Sequence, residues 1–121
     1  MDDTLPGMPG EVLDRSRAEE YASWFRALAD ASRVQILEYL ARTGRPLSVG
    51  EIVDVVGLAQ STVSQHLRVL AEVRFVLAEP DGNARRYRVN ERCVAAFPTA
   101  ADVVLGHPAP VRPDCATEGS R

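Results

Sequence analysis

At 121 residues the chain fits a single domain, with room for a core but not for a separate catalytic domain. Apolar residues at 45% and charged ones at 26% match an ordinary soluble globular protein, and no apolar run approaches the ~18 residues that would span a membrane. The net charge of −3 argues against nucleic acid until it is divided along the chain. Ten acids face six arginines in residues 1–59, four face six in 60–92, and three face two in 93–121. The basic segment is central. All fourteen basic residues are arginine, the side chain suited to forked contacts with phosphate and guanine; composition alone leaves surface ion pairing equally open.

Met1 to Gly10 carries acids, prolines and glycines instead of the basic start and apolar stretch of an export signal. Residues 1–10 are expected to form a flexible arm and the chain to reside in the cytoplasm, where cysteines stay reduced. From Glu11 to Leu28, the residues Val12, Tyr21, Trp24, Phe25 and Leu28 recur at roughly helical spacing. This predicts a first helix whose aromatic surface serves either a dimer face or plain core. Asp30 or Ser32 can cap a second helix with Val34, Ile36, Leu37 and Leu40 on its apolar side, stopped by Gly44 and Pro46. Ser48 and Glu51 have capping-box spacing for a short third helix carrying Ile52, Val55 and Val56.

Gly57 ends that helix, and a fourth is expected from about Gln60 to Val73 with Val63, Leu67 and Leu70 inward. A short capped helix, a Gly-containing turn and a second helix make the arrangement that places the second helix in the DNA major groove. Phe75 to Leu77 and Tyr87 to Val89 read as strands around the Asp81-Gly82-Asn83 turn. Asn90 can cap a last helical segment in which Pro98 opens the main part, to about Leu105. The expected fold class is mainly α with a β-hairpin: a winged helix-turn-helix of about five helices plus a two-stranded wing. It spans residues 11–106, and a tail over 107–121 carries Cys115.

The fourth helix carries the most specific signal, because its unburied side is small and polar. Gln60, Ser61, Thr62, Ser64, Gln65 and Arg68 are of the sizes that reach phosphates or base edges without blocking close approach. His66 either touches phosphate or packs the helix beside Leu67. Asn83, Arg85 and Arg86 tip the hairpin and would lie along the backbone or in the minor groove.

The runs Phe25-Arg-Ala-Leu-Ala-Asp-Ala-Ser-Arg33, Leu47-Ser-Val-Gly-Glu-Ile52 and Gln60-Ser-Thr-Val-Ser-Gln-His-Leu-Arg-Val-Leu70, with the hairpin to Tyr87, resemble the ArsR/SmtB family of metal- and metalloid-sensing bacterial repressors. The resemblance covers about residues 18–105. It implies a homodimer built from the first and last helices, bound to a palindromic double-stranded operator and released by a ligand. Arsenite-sensing members carry a Cys-Val-Cys run where this chain has Ser48, Val49 and Gly50. Many zinc sensors start the last helix with Asp-x-His, where this chain has Glu91-Arg-Cys93, and His107 lies where a terminal ligand would sit.

A thiol in place of an imidazole favours softer ions. Cys93 and Cys115 are separated by 21 residues; a ten-residue helix covers ~15 Å and a tail can double back, so both sulfurs can reach one ion, within a chain or across a dimer. Two thiolates leave one place on trivalent arsenic, which a methyl group already fills in an organoarsenical and which hydroxide would fill on arsenite. The predicted function is therefore a repressor that needs no cofactor and is released by a thiophilic inducer, arsenic(III) or an organoarsenical(III), held by Cys93 and Cys115. The alternatives are a thiol–disulfide redox-sensing repressor, a packed Cys93 with an incidental Cys115, and a winged-helix interaction module without DNA binding. No carboxylate pair, nucleophile elbow or phosphate-cradling loop points to an enzyme.

Overall fold

Local side-chain caps set where most of the helices begin. Asp14 accepts from the Arg17 N–H ahead of α1 (Arg15–Ala27), and Asp30 accepts from the Ser32 and Arg33 N–H groups ahead of α2 (Ala31–Thr43). Ser48 and Glu51 close the reciprocal capping box ahead of α3 (Val49–Val56), and Asn90 accepts from the Cys93 N–H ahead of α5 (Glu91–Ala95). Neither α4 (Gln60–Glu72) nor α6 (Phe97–Val104) has a side-chain cap, and proline occupies the first turn of α6. The computed structural model describes residues 12–107; the expected arm over 1–10 and the tail beyond His107, Cys115 included, lie outside the described residues. Among the described residues, α5 and α6 are two pieces of the last helical segment, separated at Ala96.

Between α3 and α4 the turn depends on Gly57, whose φ of 74° closes α3 through its N–H to the Val53 carbonyl. At the far end of α4, Arg74 takes the left-handed position (φ 65°) normally left to glycine. Its N–H bonds to Ala71 O, and the Phe75 N–H bonds back to Leu70 O, the paired pattern that terminates a helix and folds the next side chain onto it. Phe75 is thereby driven into the core at 0% exposure.

The wing is β2 (Val76–Asp81) paired antiparallel with β3 (Ala84–Val89), from Val76↔Val89 to Asp81↔Ala84, leaving Gly82 and Asn83 as the turn. Gly82 has φ 63°, which a two-residue hairpin turn requires. A third strand, β1 (Leu47–Ser48), pairs with β3 through Leu47↔Tyr87 and Ser48↔Arg86, giving the order β1-β3-β2. The sheet thus exceeds the expected two strands, because two residues in register with a distant strand leave no periodicity to read.

Ile36, Ile52, Val63, Leu67, Leu70 and Phe75 are fully buried and tie α2, α3 and α4 into one core, each worth ~1.5–3 kcal/mol of transfer free energy as an upper figure. The aromatic surface of α1 divides between both expected uses. Tyr21 and Trp24 are buried, while Phe25 is 36% exposed and meets Phe97 of α6 edge-on at 5.1 Å. Val12 is not on the helix face; it precedes the Asp14 cap and is 89% exposed. No helix among the described residues is long and apolar enough to cross a membrane.

Candidate nucleic-acid interface

The core face of α4 is Val63, Leu67 and Leu70, so the opposite side is turned outward. At 100° per residue, Ser61, Ser64, Gln65 and Arg68 fall within roughly 100° of arc on that side, and all four are exposed, as is Gln60. Thr62 is half-buried at the edge. Ala59 offers no side-chain cap and the first turn of α4 holds no acid, so neither the cap residue nor that turn supplies an anion to the N–H groups at its start. That end suits a phosphate.

His66 sits elsewhere on the wheel, about 140° from Ser61, and its side chain is only 15% exposed. Arg33 Nη1 lies 3.3 Å from His66 Nδ1, and His66 Nε2 lies 3.9 Å from Asp30 Oδ1. Arg33 itself is anchored on the end of α1, Nε donating to Ala27 O at 2.6 Å. The Arg33 backbone N–H, with the Arg33 and His66 charges nearby, holds the Asp30 carboxyl below its ordinary value against desolvation. The packing alternative for His66 rests on its place beside Leu67; its partner Arg33, 33 positions away, leaves no local signal.

At the wing, Asn83 and Arg85 are exposed beside the turn. Arg86 is engaged within the protein: Nε donates to Asp81 at 2.7 Å and Nη1 to Glu51 of α3 at 3.3 Å. Glu51 also faces Arg45 at 3.9 Å. The hydrogen bond to Asp81 raises the Arg86 guanidinium above its ordinary value, with Glu51 adding to it. Arg88 bonds Glu79 on the neighbouring strand. The sequence signalled the arginines of this hairpin, but not which of them the fold would occupy.

Cys93 is fully buried, on α5. It is disulfide-bonded, not a free thiol, and the chain has one other cysteine, Cys115, outside the described residues. The Cys93 sulfur lies 3.5 Å from the carbonyl oxygen of Val73, the residue that ends α4. A disulfide has no S–H, so this is a contact that only a reduced thiol turns into a hydrogen bond. Among the described residues no group of three His, Cys, Asp or Glu side chains could hold a metal ion. His107 lies 3.7 Å from Asp102 and is 65% exposed.

A sequence profile described as "Bacterial regulatory protein, arsR family" matches residues 30–77, from the Asp30 cap through α4 into the wing. The chain is similar to the transcriptional regulator Rv2034 of Mycobacterium tuberculosis, 40% identical over 64% of this chain and 71% of that regulator. It is similar also to a probable mercury resistance operon repressor of Streptomyces lividans, 37% identical over 69% of this chain and 61% of that protein. In three dimensions it resembles the homodimeric winged helix-turn-helix DNA-binding domain Mb0332 of Mycobacterium bovis, with a TM-score of 0.61, 30% identity, and coverage of 80% of this chain and 90% of that one.

Proposed function

The chain belongs to the bacterial ArsR family of transcriptional regulators, and from that membership we propose that it is a homodimeric repressor whose operator is released by chemistry at Cys93. The observation that carries the DNA half is the outward face of α4. Its exposed polar side chains and uncapped N-terminus support this reading, since donors of this kind suit phosphates and base edges. The family and the fold are those of regulators rather than enzymes. A protein that meets operator DNA works in the bacterial cytoplasm.

The dimer is supported by exposed apolar side chains at the end of the last helical segment. Phe25 and Phe97 join α1 to α6, and α6 runs on to Val104 and Leu105, 55% and 69% exposed. The Mycobacterium bovis domain is homodimeric, and a symmetric pair would present two α4 helices to a palindrome.

For release, the proposed inducer is a soft, thiophilic ion, trivalent arsenic as the arsenite or a methylated arsenical, or mercury(II), held by Cys93 and Cys115 once both are thiols. Sulfur donors fit such ions, and the relative named as a mercury resistance repressor lies in the same chemical class. Cys93 is placed to transmit an event there, since its sulfur abuts Val73 at the end of α4 and Asn90 couples its helix to Phe75, the Asn90 N–H donating to Phe75 O at 2.9 Å. The disulfide at Cys93 favours a second reading, in which a peroxide takes two electrons from the two thiols, the protein gains an S–S bond, and water forms.

Fluorescence anisotropy with duplex from the chain's own promoter region tests both. Binding should weaken steeply with salt, fall away with a trivalent arsenical or mercury(II) in reductant, and lose that response in Cys93→Ser and Cys115→Ser. Both variants responding like the parent would sink the thiol site. Release by peroxide alone, with thiol trapping showing the bond, selects the redox reading; absence of duplex binding at low salt leaves the interaction-module alternative.

A further inference from the structure

Arg33 ties the end of α1 to α4. Its Nε donates to Ala27 O at 2.6 Å and its Nη2 to Arg26 O at 3.4 Å, the latter a carbonyl that also accepts from the Ala29 N–H. Its remaining nitrogen, Nη1, points at His66 Nδ1, 3.3 Å away in the middle of α4. A guanidinium offers only donors and does not deprotonate, so Nδ1 must be the acceptor. That hydrogen bond requires the Nε2–H tautomer.

We infer that His66 is a positioning residue for operator binding: by accepting from Arg33 it fixes the recognition helix α4 against the corner where α1 meets α2. This rests on the repressor reading above. His66 shares the inner flank of α4 with Val69 and Val73, while Ser64, Gln65 and Arg68, its near neighbours in sequence, face outward. The bond sets how that outward row is tilted. Because α1 also carries Phe25, the tie links the proposed dimer helix to the recognition helix, and so bears on the separation of the two α4 helices in a pair.

Arg33 and Asp30, both at the start of α2, face the ring at 3.3 and 3.9 Å, and α1 contributes the carbonyls that hold Arg33. A His66 that met phosphate directly would leave this internal contact, whereas a positioning His66 keeps it.

The test measures operator affinity for wild type, His66→Ala and His66→Asn at pH 8, beside thermal unfolding of each. Asn can present its side-chain oxygen near the Nδ1 position. His66→Ala should lose ~3- to 10-fold in affinity, the range of one hydrogen bond, and His66→Asn should restore most of it. Nitrogen-detected NMR of the free protein should report the Nε2–H tautomer at pH 8. Failure of His66→Asn to restore affinity, or the Nδ1–H tautomer, would each overturn the positioning role. Failure of all three proteins to bind duplex overturns the repressor reading itself.

Discussion

Arg86 of the wing reaches Glu51 of α3 at 3.3 Å, 35 positions away in the sequence, while its Nε holds Asp81 at 2.7 Å. One guanidinium thereby braces the hairpin against the first helix of the helix-turn-helix unit, and its neighbour Arg85 is left exposed. Adjacent arginines with the same composition signature have different surroundings, and they should fail differently when removed. Arg85→Gln should lower the slope of log affinity against log salt by about one, as expected for a lost phosphate contact. Arg86→Gln should weaken binding with a smaller change in slope, because it loosens the wing instead of removing a contact. Salt titrations of both variants by anisotropy decide this; equal slope changes would assign both arginines to DNA.

The uncapped start of α4 predicts opposite movements of stability and affinity. Ala59→Asp would supply the missing cap, worth about 1 kcal/mol, and raise the thermal midpoint by ~4–8 °C for a domain of this size. The same carboxylate would occupy the N–H groups proposed to meet phosphate and repel the duplex, reducing operator affinity by roughly tenfold or more. Thermal melts and anisotropy on one preparation check both halves. A variant that is stabilised and binds unchanged removes the helix end from the interface.

Acid should destabilise the fold through carboxylates held by caps. The Ser48 backbone N–H, with Arg45 and Arg86 adding to it, keeps Glu51 below its ordinary value of 4.5, and the Arg33 backbone N–H does the same for Asp30 below 3.8. A carboxylate depressed in the folded state contributes stability above its unfolded value and loses it as pH falls through the folded one. Urea midpoints should therefore hold from pH 7 to about 5 and decline below about 4.5. Glu51→Gln should make that decline shallower; an unchanged acid limb would show that the capping box does not contribute to it.

Leu105→Glu places a charge on the 69% exposed end of the last helical segment. Its fold should be retained, since the side chain lies outside the core, but a dimer relying on this surface should not survive burial of a carboxylate. Sedimentation should show the parent as a dimer and the variant as a monomer, with affinity for the palindrome falling towards that for a half-site. A dimeric variant would move the interface elsewhere.

Much of the scaffold was legible because it is set within one helical turn. The Asp30 cap, the Ser48–Glu51 box, the Gly57 stop and the Asn90 cap each need only neighbours two to four positions apart, and periodicity gave the inner stripe of α4 together with its polar outer face. The turn around Gly82 is equally local. Where the reading stopped short, the cause was distance along the chain. The two-residue strand at Leu47 has no pattern of its own, and the Arg33–His66 and Arg86–Glu51 contacts join residues more than thirty positions apart.

The sequence by itself determined that this chain makes a winged helix-turn-helix with a polar recognition helix, because caps, turns and hydrophobic period are short-range properties. Only the tertiary structure decided how the candidate interface is held. It turned His66 towards Arg33, committed Arg86 to Glu51 while leaving Arg85 exposed, and sealed Cys93 behind the end of α4. Those outcomes depend on which surfaces meet when helices and wing pack, and a side chain's partner across the core is not encoded in its neighbours.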